Sequence, residues 1–167
     1  MYSKILVPVD GSAPSAAGLH EAIRLARDDK STLVLLHVIV QMPLMLGYPG
    51  VADYGQVWDM LDRAGHEIVE RAAKEAAAAG VAYVTRVVDG GAGAVSDVVL
   101  DQLRAEHCDL VVIDTHDRRD MKRLALGSDA EMIVRHSPVP VLLVKAPAAT
   151  AASAADGAPP AASAAGR

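Results

Sequence analysis

The chain has 167 residues, of which 21 are acidic and 16 basic, giving a formal net charge of −5. That length suffices for one domain with a substantial core, and the acidic balance, with no basic stripe or aromatic ladder, argues against nucleic acid as a partner. No apolar run reaches the ~18 residues that a membrane span needs, and the single cysteine, Cys108, precludes an internal disulfide and favours a reducing compartment.

The aromatic residues are only Tyr2, Tyr48, Tyr54, Tyr83 and Trp58, so the core must be built from Val, Leu, Ile and Ala. The chain enters a strand-like run at Ile5–Leu6–Val7 without a basic n-region and apolar h-region, which predicts a cytoplasmic protein. A strand over Lys4–Val9 ends at Asp10–Gly11–Ser12, where Ser12 or Ser15 can cap a helix. Leu19, Ala22, Ile23 and Ala26 mark that helix at helical spacing. Thr32–Val38 is a nearly continuous β-branched and Leu run, as expected of a central parallel strand covered on both faces.

Residues 41–55 form a long loop holding two prolines, three glycines and the apolar Met42, Leu44, Met45, Leu46 and Tyr48. Loops of this kind often lie over a site. A long helix is predicted from Gln56 to Ala79, with Gly80 as its C-terminal cap. A third strand follows over Tyr83–Val88. Asp89–Gly90–Gly91–Ala92–Gly93 then turns into a helix from Ala94 to Glu106, facing inward through Val95, Val98, Val99 and Leu103. Asp109–Ile113 is the fourth strand. After an aspartate-rich loop and a short amphipathic piece at Met121–Leu126, Gly127–Ser128 opens a helix running to Arg135 or His136. Ser128 and Glu131 have capping-box spacing there, and Ser96 likewise sits where a cap is expected. Pro140–Val144 is the fifth strand. The alternation predicts an α/β fold, a doubly wound, five-stranded parallel sheet with helices on both faces, Rossmann-like in type. Residues 1–146 form the domain. The Ala- and Pro-rich residues 147–167 offer no large apolar face and read as a disordered tail.

The opening Lys4-Ile5-Leu6-Val7-Pro8-Val9-Asp10-Gly11-Ser12, the strand ending His37-Val38, and the stretch from Leu126-Gly127-Ser128-Asp129-Ala130-Glu131 through His136-Ser137-Pro138 to Val144 together resemble the universal stress protein family, the UspA-like domain. The resemblance covers roughly residues 1 to 146. In its nucleotide-binding branch, the segment after the fourth strand carries Gly, two residues, Gly, nine residues, then Gly with Ser or Thr. Those positions here are Asp114, Asp117 and Gly127–Ser128, so only the last pair survives. Asp120 stands at a further position that is often glycine in relatives. The resemblance places Asp10 near a ribose and adenine, Val38, Ile39 and Val40 along the base, and Gly127 and Ser128 at the phosphates.

A phosphate cradle needs backbone N–H groups at close range, which favours residues without side chains or negative charge. A carboxylate ~4 Å from a phosphate oxygen costs roughly 4 kcal/mol at an effective dielectric near 20, less once screened. Even ~1.4 kcal/mol each from Asp114 and Asp117 lowers affinity about a hundredfold together. Arg118, Arg119, Lys122 and Arg123 read as partners of these aspartates in a polar loop, the alternatives being that one or two reach a ligand anion or that they contact a partner protein. Asp10 is either a turn residue accepting N–H groups or a ligand contact, and Ser128 either a cap or an anion contact. Two other chemistries have weaker signals: a metal-dependent hydrolase centred on Asp114, His116 and Asp117, in a chain whose histidines show no metal-site spacing, and Cys108 as a nucleophile, a position that reads first as a small buried hydrophobe. His37 reads as a strand-end structural residue.

The resulting expectation is a non-enzymatic, cytoplasmic stress-response protein with no cofactor. It would act through protein contacts and through a homodimer built on Val139–Val144, as the resemblance implies, with no nucleic acid and no membrane. The alternative is a weak ATP/AMP-binding or slowly ATP-hydrolysing protein using the residual pocket of Asp10, Val40, Gly127 and Ser128.

Overall fold

The computed structural model describes residues 1–40, 54–91, 93–115 and 126–145. The expectations for His116, Asp117, Arg118, Arg119, Asp120, Lys122 and Arg123, for residues 41–53 of the loop expected over 41–55, and for the tail lie outside the described residues, while Tyr54 and Gly55 belong to the following helix and not to that loop. The elements are β1 (Lys4–Pro8), α1 (Ala13–Asp29), β2 (Thr32–Ile39), α2 (Tyr54–Ala78), β3 (Ala82–Asp89), α3 (Val95–Ala105), β4 (Leu110–Asp114), α4 (Ser128–His136) and β5 (Val141–Val144). The strands form one sheet in the order β3-β2-β1-β4-β5, with every neighbouring pair parallel. The doubly wound fold expected from the alternation is present.

Strand alternation sends side chains to two cores. Ile5, Val7, Leu33, Leu35 and Val112 meet Leu19, Ala22 and Ala26 of α1 and Val69, Ala72 and Ala76 of α2. Leu6, Val34, Leu36, Val111 and Ile113 meet Val99 and Leu103 of α3 and Ala130 and Ile133 of α4. The chain winds outward from β1 to β3 with its helices on one face, then returns to β4 and β5 with its helices on the other, as right-handed crossovers require. The reversal lies between β1 and β4. Ile5, Leu6 and Val7 are fully buried there, so truncating Leu6 to alanine would cost ~2–5 kcal/mol.

Local chemistry sets the element ends. Ser12 caps α1 by accepting the Ser15 N–H at 3.3 Å. α2 ends where Gly80 takes φ +71°, with its N–H on the Ala77 carbonyl and that of Val81 on Ala76, both at 2.9 Å. This closure satisfies the last carbonyls of the helix and needs a residue that tolerates left-handed geometry. At the N-terminal ends of the strands, Asp109 accepts the N–H groups of Ser3 and Lys4 at 2.8 and 3.0 Å. Lys4 and Arg86 both reach Glu106 there, at 3.1 and 2.7 Å.

Two expected caps are corrected. α4 has Gly127 as its N-cap, because the Glu131 N–H bonds the Gly127 carbonyl at 2.9 Å and closes the first turn there. Ser128 is therefore the first helical residue, its side chain makes no capping bond, and Glu131 pairs with Arg135 instead. α3 has Ala94 as its N-cap, so Ser96 lies inside the helix as well.

Candidate functional site at the switch point

In a doubly wound sheet, ligands bind beyond the carboxyl ends of the strands where the winding reverses. Here that crevice is bordered by the ends of β1 and β4 and by the starts of α1 and α4. Asp10 follows β1. Its backbone N–H is donated to Ser15 Oγ at 3.2 Å, and its Oδ1 accepts the Ser12 N–H at 2.9 Å. The carboxylate therefore accepts within the turn, one of the two roles open to it from the sequence. Gly11 makes the turn possible with φ +78°.

Asp114 is the last residue of β4, one position beyond the end expected from sequence, and lies in register with Val144 of β5. The strand starts at Leu110, and Asp109 precedes it with its carboxylate holding Ser3 and Lys4. A Cβ added at Gly18 of α1 would meet the Asp114 nitrogen at 3.7 Å. That is an ordinary packing distance, and it places α1 directly over the end of β4. Of the proposed base-side wall, Ile39 is core and Val38 packs against the α3/α4 cluster, while Val40 stands at the rim, 42% exposed.

At α4, Gly127 is buried and Ser128 exposed. With no side-chain capping bond, the start of this helix presents backbone donors, the usual setting for an anion. Its first turn also carries Asp129 and Glu131. Such acids suit the helix dipole but oppose a phosphate. Asp129 was missed in the sequence reading. Its Oδ1 accepts the Ser96 N–H at 3.1 Å, so α4 caps α3 where Ala94 has no side chain to do so. Ser96 Oγ beside this bond is buried without a hydrogen-bond partner.

His37 lies near the end of β2 and donates from Nδ1 to the Val9 carbonyl at 2.8 Å. Cys108 is buried, and burial pushes its thiol up to about 11, which leaves it protonated and a poor nucleophile at neutral pH. Among the described residues no group of three His, Cys, Asp or Glu side chains could hold a metal ion. No helix among them is long and apolar enough to cross a membrane.

Residues 1–145 match the universal stress protein family. The chain belongs to that family. The universal stress protein MJ0531 of Methanocaldococcus jannaschii is 27% identical over 147 residues, covering 88% of this chain and 84% of its own length. The solved structure of MJ0577 from the same organism superposes with a TM-score of 0.74 at 25% identity, over 87% of this chain and 96% of that one. An Arabidopsis thaliana universal stress protein family member solved with AMP bound has a TM-score of 0.64 over 87% of this chain and 93% of its own. At 18% identity, that likeness is one of fold.

Proposed function

We propose that this universal stress protein is a cytoplasmic, non-enzymatic member of the stress response that does not bind ATP strongly and acts through a homodimer and contacts with other proteins. The observation that carries the reading is Asp114, a carboxylate at the end of β4 where the nucleotide-binding branch begins its phosphate cradle with glycine. Asp129 and Glu131 in the first turn of α4 add negative charge on the side where Gly127 and Ser128 would meet the phosphates. Asp117 adds a further carboxylate in sequence. The homodimer reading is supported by β5, an edge strand with Leu143 39% exposed. Such an edge is a pairing liability that a second copy removes.

A second reading rests on the start of α4, whose Gly127 cap makes no side-chain bond. Backbone donors there would suit a single phosphate, and a relative of the same fold was solved with AMP. The two readings are separated by denaturing the freshly purified protein and analysing the released small molecules by ion-exchange chromatography. The first expects no adenine nucleotide. A stoichiometric yield of AMP or ATP would sink it and establish the second.

A further inference from the structure

β1 stops at Pro8, and its sheet pairing continues one residue further through the Val9 N–H, which bonds the Leu36 carbonyl at 2.7 Å. The next peptide, joining the Val9 carbonyl to the Asp10 nitrogen, is gripped by side chains instead. His37 Nδ1 lies 2.8 Å from the Val9 oxygen, and the Asp10 N–H reaches Ser15 Oγ at 3.2 Å. A carbonyl oxygen only accepts, so Nδ1 carries the proton and donates. Because a peptide unit is planar, holding its oxygen from β2 and its nitrogen from α1 fixes the orientation of the whole plane. The Asp10 carboxylate hangs from that plane and accepts the Ser12 N–H.

The imidazole is itself confined by α2. A Cβ added at the buried Gly65 would lie 2.9 Å from His37 Cδ2 and 3.1 Å from Val87 Cγ1, closer than a side chain can come without a shift. The same helix supports the turn again further along. A Cβ at Gly11 would meet Arg71 Nη2 at 3.2 Å and Ile68 Cγ1 at 3.4 Å. Ile68 and Arg71, one and two steps of three residues beyond Gly65, thus meet the turn itself, while Gly65 meets the histidine that holds it.

We propose that His37 is a positioning residue that sets the Asp10 turn at the switch point, and that α2, through Gly65, controls it. A displacement of α2 moves the imidazole, releases the Val9 carbonyl and lets the Val9–Asp10 peptide rotate, which re-aims the carboxylate at the crevice mouth. This goes beyond the proposed function, since the coupling holds whether or not a nucleotide binds.

The test uses the full chain labelled with nitrogen-15. In the unaltered protein, at a pH where the ring is neutral, the His37 imidazole spectrum must show the proton on Nδ1. The Nε2–H tautomer overturns the proposal. Hydrogen exchange then compares the Asp10 and Ser12 amides with those inside β1. In His37→Leu and Gly65→Ala, the Asp10 and Ser12 amides should exchange at least about tenfold faster while the β1 interior is unchanged, as for a local opening. His37→Asn places an N–H donor near the Nδ1 position and should restore slow exchange. Unchanged exchange in Gly65→Ala, uniform acceleration across β1, or His37→Asn as fast as His37→Leu overturns the proposal. If His37→Leu does not fold, Gly65→Ala and the tautomer decide.

Discussion

Asp129 in the first turn of α4 accepts the backbone N–H of Ser96 at 3.1 Å and supplies the cap that Ala94 cannot give α3. The two helices covering one face of the sheet are thereby joined at their starts. Removing a capping acceptor costs ~1 kcal/mol. Asp129→Ala should lose about that much in urea unfolding, and Asp129→Asn, which keeps an acceptor oxygen, should lose less. Ser128→Ala, at an exposed position without a capping bond, should stay within ~0.5 kcal/mol of the unaltered protein. A larger loss from Ser128→Ala than from Asp129→Ala would contradict the assignment.

The sheet was legible because its signals are local. Thr32–Val38 reads as a buried strand by composition alone, and the Asp10–Gly11–Ser12 turn combines a side-chain acceptor, a left-handed glycine and a cap within three residues. The start of α4 was misplaced by one residue because Ser128 and Glu131 imitate a capping box. Which residue takes the extended cap geometry is decided by the Gly127 backbone, not by that spacing. Asp129 was illegible for another reason. Its partner Ser96 lies 33 residues away, and only packing of α3 against α4 brings them together. His37 was placed at a strand end, but its grip on Val9 needs the β1–β2 pairing and the close approach of Gly65.

The carboxylates at the N-terminal edge of the sheet predict acid sensitivity. Glu106 is held below its ordinary value of 4.5 by the hydrogen bond from Lys4 first, with burial opposing and Arg86 assisting. For Asp109, burial alone would raise the value, but the N–H groups of Ser3 and Lys4 outweigh it and leave it below the ordinary 3.8. The unfolded chain therefore takes up these protons at higher pH than the folded one. Their stabilisation is complete above the unfolded values and is lost as pH falls through the folded ones. The urea midpoint should be flat between pH 7 and about 5 and fall below that. Asp109→Asn should start lower at neutral pH and fall less steeply in acid. An equally steep fall in that variant would show that Asp109 does not contribute.

A dimer formed through β5 predicts a specific response at its exposed position. Leu143, 39% exposed on the edge strand, would lie in the pairing surface of Val139–Val144. Leu143→Asp should convert a dimer into a monomer in sedimentation velocity at micromolar concentration, with little change in the far-ultraviolet circular dichroism. A protein that is already monomeric throughout the micromolar range has no such interface.

The carboxylates at and beyond the end of β4 oppose a polyphosphate, and calorimetric titration with Mg-ATP tests them most directly. The unaltered protein should bind with a Kd above ~1 mM, and replacing both Asp114 and Asp117 by glycine should tighten binding at least about tenfold, equivalent to ~1.4 kcal/mol. Micromolar binding by the unaltered protein, or a double-glycine variant that binds no tighter, would contradict it.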